Sequence, residues 1–321
     1  MSAPARRVVA GSALPPEPGV DGFVRTAVTF GEAKGQRIRG LLVEPGGERH
    51  GTVLVAPGFG RTIRHSTVFA LHLARHGYGS LRVDLTNHTG DSDGDIVHGS
   101  LSSAVDDLWR VLDGWEHTGQ TSPRYLMASS LSARSAVRAV AEGLPVDGVV
   151  LVLPVVDLGR TIAVVTGEDL VAGYLDGRIG VEDPLTVSTH EMSGRFLADA
   201  VHGGFLGLET TRDEIARIDR PVAAVAAERD EWVDAGDITV ALGADTDASR
   251  QVFVLERASH DSYDFGFLRA VTRTVVQALA ATSGVVPGAE HHIDYSELAN
   301  ALTGDKVVLR RARQIWRGED G

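Results

Sequence analysis

YLMASSLSARSAV, residues 125–137, places three serines within four positions. An apolar, strand-like run leads into the triplet, and an Ala- and Val-rich helical run leads out of it. Strand, tight turn and helix in that order make an elbow that can lift a hydroxyl above a sheet. Such a turn strains the backbone of its central residue. It also crowds together the residues two before and two after, so both must be small. Ser129 would have Met127 and Leu131 at those places, and Ser132 would have Ser130 and Arg134. Only Ser130, flanked by Ala128 and Ser132, meets the size rule. It also falls where RYLMAS (124–129) ends and SARSAVRAVAEG (132–143) begins. Taken alone, the triplet reads equally well as a Ser-rich helix cap, so its surroundings decide.

Upstream, residues 23–44 give two short strand-like runs that read as an opening hairpin. GTVLVAP (51–57) is a continuous apolar, β-branched run, the pattern of a strand buried on both faces. Residues 66–76 have helical spacing, and GSLRVDL (79–85) is the next strand. In 101–115, Leu101, Val105, Leu108, Leu112 and Trp115 recur about one turn apart, as in an amphipathic helix. VDGVVLVLP (146–154), RPVAAVAAE (220–228) and RQVFVLE (250–256) complete the strands, and a helix follows over about 265–282. Alternating strands and helices predict an α/β fold: a mostly parallel central sheet with helices on both faces. Residues 155–219 hold about twice what a crossover needs, so they read as an inserted lid over the C-terminal edge of the sheet, with 185–208 helical but irregular. The expected organisation is a loose N-terminal arm (1–21), an α/β domain (22–283) and a polar C-terminal extension (284–321), in which 303–318 forms a short amphipathic helix or strand.

The chain has 321 residues, is 43% hydrophobic and carries a net charge of −12. The acidic balance argues against a nucleic-acid partner, which needs a basic face. No apolar run of about 18 residues occurs, so no membrane span is expected. With no cysteine, disulfides, thiolate metal sites and a thiol nucleophile are excluded, and a cytoplasmic protein is expected. The N-terminus has no sustained apolar segment of the secretory kind.

A seryl nucleophile needs a histidine base, and the histidine needs an acid to set its tautomer. In α/β-hydrolases these follow in the order Ser, Asp, His, each in a loop after a strand. Asp230 comes first after RPVAAVAAE, and His260 lies in RASHDSYDF after RQVFVLE. Asp157, after VVLVLP, is the rival acid. Plainer roles are a helix N-cap for Asp230 and a surface loop for His260. An oxyanion hole requires two backbone N–H groups. Leu131, directly after Ser130, would give one, and Phe59 in APGFGRT would give the other.

Four segments carry a family resemblance: APGFGRTIRH (56–65), ASSLSAR (128–134), RDEWV (229–233) and SHD (259–261). The sequence resembles the LuxD acyltransferases, the myristoyl-acyl-carrier-protein thioesterase component of bacterial luminescence, over roughly residues 22–283. The resemblance implies an α/β-hydrolase fold in which Ser130 is the acylated nucleophile, His260 its base and Asp230 the acid. It implies an acyl thioester substrate, with an acyl carrier protein as partner, and no cofactor. The rival readings are a carboxylesterase or peptidase, and an inactive hydrolase-fold binding protein.

DLTNHTGDSDGDIVH (84–98) hints at a calcium loop, but the twelfth position counted from Asp91 is Ser102 rather than Glu. A polar loop at the rim of the site is the better reading, and no metal is expected. Glu290, His291, His292 and Asp294 read as a solvated turn. Arg61, Arg64 and Arg134 are candidate substrate-binding residues. With Arg75 and Arg138 they read either as a basic patch suited to a phosphopantetheine or an acidic carrier, or as scattered solvated arginines. The lid segments TIAVV (161–165) and GGFLGL (203–208) would wall an apolar pocket.

Overall fold

The computed structural model describes residues 11–15, 17–18, 22–31, 35–47, 49–116, 124–260, 265–285 and 293–319. Strands β1 (Gly11–Ala13) and β2 (Glu17–Pro18) pair with β3 (Val24–Phe30), and β3 pairs antiparallel with β4 (Ile38–Glu44) as the opening hairpin. Strands and helices then alternate: β5 (Gly51–Ala56), α1 (Thr67–Arg75), β6 (Tyr78–Val83), α2 (Leu101–Glu116), β7 (Arg124–Ser129), α3 (Leu131–Ala141) and β8 (Gly148–Val152). The lid interval folds as α4 (Leu158–Thr166), α5 (Leu170–Leu175), β9 (Pro184–Val187), β10 (His190–Ser193), α6 (Arg195–His202) and α7 (Leu208–Ala216). The chain continues through β11 (Val222–Ala227), α8 (Ala235–Leu242), β12 (Arg250–Leu255), α9 (Phe265–Ser283) and α10 (Tyr295–Glu319).

Ten of these strands form one sheet, in the order β1-β3-β4-β6-β5-β7-β8-β11-β12 with β2 on β3. From β6 to β12 every neighbouring pair is parallel. Alternate side chains of β5 show why its apolar run is unbroken. Leu54 and Ala56 enter the core beneath α2 and α3, while Val53 and Val55 enter the core beneath α9. The chain leaves β5 toward β6 on one side and returns as β7 on the other. Strand order therefore reverses at β5, and a crevice opens beyond the C-terminal ends of β5 and β7. The loop at 57–62 and Ser130 both lie there.

Two expectations need correction. The stretch 184–193 is a hairpin, not a helix, because Leu185 and Val187 are buried while Pro184 and Thr186 are exposed, a period of two. Residues 303–318 belong to a 25-residue helix, α10. The expected amphipathic pattern holds over a longer helix: Ala301, Val308, Leu309, Ala312 and Trp316 pack on Phe23, Leu41 and α1. Burying Leu309 and Trp316 contributes about 1.5–3 kcal/mol each. Asp305 fixes the helix further by accepting from Arg25 Nε at 2.9 Å, Arg82 Nη1 at 2.7 Å and the Thr67 hydroxyl at 2.7 Å, all buried. Glu290, His291 and His292 lie outside the described residues. Among the described residues no helix is long and apolar enough to cross a membrane.

Candidate active site

Ser130 joins β7 to α3 with φ 51° and ψ −122°. A non-glycine residue at positive φ is strained and persists only where its surroundings hold it. Here the Ser130 N–H donates to the Val152 carbonyl at 2.9 Å, and its own carbonyl accepts from Ala133 at 3.1 Å and Val155 at 3.2 Å. Sheet and helix together fix the turn. The other candidate, Ser132, is buried and donates its hydroxyl to the Pro57 carbonyl.

The Ser130 Oγ lies 2.9 Å from Nε2 of His260, and Nδ1 of His260 lies 2.7 Å from Oδ2 of Asp230. The His260 and Asp230 side chains are 5% and 1% exposed. The second Asp230 oxygen accepts the Trp232 and Val233 N–H groups at 2.9 and 3.0 Å, so Asp230 caps its own turn and holds the ring at once. The Trp232 ring covers the imidazole, with centroids 4.3 Å apart and planes at 32°. The rival acid, Asp157, is occupied elsewhere: it caps α4 by accepting the Arg160 N–H at 3.0 Å.

Phe59 and Leu131 flank Ser130. Neither N–H has a hydrogen-bond partner among the described residues. The PGFG turn passes close, so that a Cβ on Gly58 would stand 3.5 Å from that of Ser130. The Phe59 ring meets His88 and His190 edge-on, at centroid distances of 5.9 and 5.4 Å. Burial pushes His88 down to about 4, and His190 acts in the same direction, so its imidazole is neutral at pH 7.

A cavity of about 460 Å³ opens on Ser130 and His260, within the usual size for a small-molecule site. One wall is the lid, with Ile162, Val165, Val187 and Phe196. Another comes from Phe69, Phe267 and Val271, and α10 adds Leu298 and Leu302. The segment TIAVV does face the cavity, through Thr161, Ile162 and Val165. The segment GGFLGL does not: Phe205 is buried under the guanidinium groups of Arg134 and Arg138.

The basic cluster divides. Arg61 and Arg64 line the cavity. Arg134 does not reach it; it is fully buried, paired with Glu214 and donating to the Phe205 carbonyl at 3.0 Å. As a substrate-binding residue it is corrected to a structural one, because the first turn of α3 points it at α7. Arg138 shares Glu214, and Arg75 pairs with Glu297. The acids of 84–98 are engaged as well: Asp91 pairs with Arg313, Asp93 with Arg37, and Asp95 caps the turn at 96–98. Among the described residues no group of three or more His, Cys, Asp or Glu could hold a metal ion.

Sequence reasoning missed Trp232 as a cover for the ring, His88 and His190 beside Phe59, and the α10 wall. Trp232 was visible inside RDEWV. The others meet the site only through tertiary packing.

The family profile described as "Acyl transferase" matches residues 40–302. The chain belongs to the acyl transferase family. This is the family that the LuxD resemblance named. Relatives of the chain include an acyl transferase from Photorhabdus luminescens, 28% identical over 215 residues, covering 67% of this chain and 68% of the relative. Another, from Photobacterium phosphoreum, is 26% identical over 268 residues, covering 83% and 86%. Among solved structures it is similar to Est1E of Butyrivibrio proteoclasticus with ferulic acid bound, at TM-score 0.59 and 18% identity over 78% of this chain and 98% of that one. It is also similar to mouse alpha/beta hydrolase domain-containing protein 10, at TM-score 0.58 and 14% identity over 79% and 98%. A lipase in its open form gives TM-score 0.64 and 14% identity over 85% and 99%. The fold is that of the α/β-hydrolases.

Proposed function

We propose that the protein is a serine-dependent acyltransferase or thioesterase that cleaves acyl thioesters through an acyl-enzyme. The observation that carries this reading is the linked set of Ser130 Oγ, His260 and Asp230 at 2.9 and 2.7 Å, beside two amides without partners among the described residues. In the first step Ser130 Oγ attacks the thioester carbonyl carbon while His260 Nε2 takes its proton. The carbonyl oxygen becomes an oxyanion and accepts from the Phe59 and Leu131 N–H groups. Collapse breaks the carbon–sulfur bond, and His260 returns the proton to the leaving thiolate. Water or another acceptor then attacks the Ser130 ester, with His260 again the base. Asp230 keeps the hydrogen on Nδ1 and stabilises the imidazolium.

The apolar walls of the cavity suit a fatty acyl chain. Arg61 and Arg64 at its rim suit the phosphate of a phosphopantetheine arm, free or on an acyl carrier protein. The test is a thioester series from about two to sixteen carbons, a range suited to a pocket of this size. A rise in kcat/KM with chain length, then a fall, supports the reading. Rates highest for acetyl and falling steadily would refute the fatty-acyl assignment. No labelling by a fluorophosphonate would refute the enzyme and favour a binding protein.

A further inference from the structure

The loop that carries Phe59 is gripped by the strand-end loop at 84–89. Within the first loop, the Arg61 N–H donates to the Gly58 carbonyl at 3.0 Å and closes a turn. The Gly60 N–H donates to Nε2 of His88 at 3.1 Å. The Thr89 hydroxyl donates to the Arg61 carbonyl at 3.1 Å, and its oxygen stands 3.3 Å from Nδ1 of His88. Its hydrogen is spent on Arg61, so this oxygen accepts from Nδ1–H. The imidazole is thereby held as the neutral tautomer with Nε2 free to accept. At the end of the loop, Asp84 Oδ1 accepts the Ile63 N–H at 2.8 Å. Three side chains from one short segment thus fix Gly60, Arg61 and Ile63. The grip is tight on the other side too. Gly60 has φ +69°, and a Cβ there would come within 2.2 Å of the His190 ring.

An oxyanion donor helps only if it is aimed before charge develops, since turning it during the reaction costs what the bond returns. The Phe59 N–H belongs to the Gly58–Phe59 peptide, whose carbonyl accepts from Arg61, and the next peptide, Phe59–Gly60, is tied by its own N–H to His88. We propose that His88 is a positioning residue: its Nε2 anchors the peptide that follows Phe59 while the Gly58–Arg61 bond anchors the one before it, and the two together hold the Phe59 N–H toward the carbonyl oxygen above Ser130. The proposal rests on the reading in which Phe59 supplies an oxyanion donor. It gives the DLTNHTG stretch a role in catalysis without a metal.

The test uses the full chain and p-nitrophenyl butyrate, with fluorophosphonate labelling as an independent check on Ser130. His88→Leu removes the acceptor, and kcat should fall about 10- to 100-fold, less than loss of a whole donor. KM should stay within about twofold, since ground-state binding does not use the oxyanion. His88→Gln places an amide oxygen near the position of Nε2 and should recover kcat to within about threefold, because it restores the hydrogen bond. Wild-type kcat in a folded His88→Leu protein overturns the proposal. So does an equal loss in His88→Leu and His88→Gln at unchanged unfolding midpoint, which would make the ring a packing element only. Should His88→Leu fail to fold, His88→Asn decides: its amide is too short to reach Gly60, so a fall in kcat alone supports the proposal, and an unchanged kcat overturns it. A wild-type protein that neither labels nor turns over would instead refute the serine-enzyme reading itself.

Discussion

Asp230 and His260 are 30 residues apart in sequence, on the loops after two adjacent parallel strands, and meet at 2.7 Å. The other Asp230 oxygen is tied to two backbone amides, so the carboxylate cannot swing away from the ring. Asp230→Asn should lower kcat by up to about 10⁴-fold, because the amide favours the wrong tautomer of His260. Asp157→Asn should stay close to wild type, because asparagine is as good an N-cap as aspartate. Steady-state kinetics on both variants check this; a severe loss in Asp157→Asn with full activity in Asp230→Asn would reverse the assignment.

The two kinds of arginine should separate cleanly. Arg134→Ala removes one of the two cations on buried Glu214 and should cost about 3–5 kcal/mol of stability. Arg64 is exposed at the rim of the cavity, so Arg64→Ala should change stability by less than about 0.5 kcal/mol. It should raise KM for a coenzyme A thioester and leave p-nitrophenyl butyrate unaffected. Equal effects on the two substrates would remove the phosphate-binding role.

The α10 wall makes a prediction about chain length. Leu302 is 44% exposed at the edge of the cavity, so a larger side chain fits without disturbing the core. Leu302→Trp should shorten the preferred acyl chain and spare butyryl substrates. Each lost methylene contact is worth about 0.8 kcal/mol, roughly fourfold in kcat/KM. An unchanged chain-length profile would mean that the chain runs along the lid instead.

Stability should respond to the buried Asp84. Burial raises it from 3.8 to about 6, so between pH 4 and 6 the folded state binds more protons than the unfolded chain. Stability from this group is therefore full below about pH 4 and lost as pH rises to about 6. Asp107 is also pushed up to about 6 by burial and acts in the same direction. Urea unfolding at pH 4.5 and 7 should show wild type losing stability relative to Asp84→Asn at the higher pH. A difference that does not move with pH would contradict this.

Much of the site was legible because it sits at strand ends, where sequence pattern and chain order coincide. The size rule at positions 128 and 132 singled out Ser130 before any partner was considered. Asp230 and His260 followed from where β11 and β12 stop. What was hidden depends on tertiary direction. Arg134 reads as a basic residue near the elbow, yet the first turn of α3 buries it on Glu214. The stretch 303–318 reads as a short amphipathic element, but its place in a longer α10 and the role of that helix as a cavity wall rest on two leucines ahead of it, Leu298 and Leu302. His88 reads only as part of a polar loop at the rim of the site, because acids and histidines in sequence do not reveal which backbone amide they will meet.

The central claim is that Ser130 carries the acyl group. Intact-mass analysis after rapid mixing with a medium-chain acyl thioester tests it most directly, with peptide mapping of the adduct. The wild-type chain should gain the mass of one acyl group on Ser130, and Ser132→Ala should still gain it. Ser130→Ala should gain none, with turnover lower by several orders of magnitude. An acyl adduct that persists in Ser130→Ala, or that maps to another residue, would contradict the account.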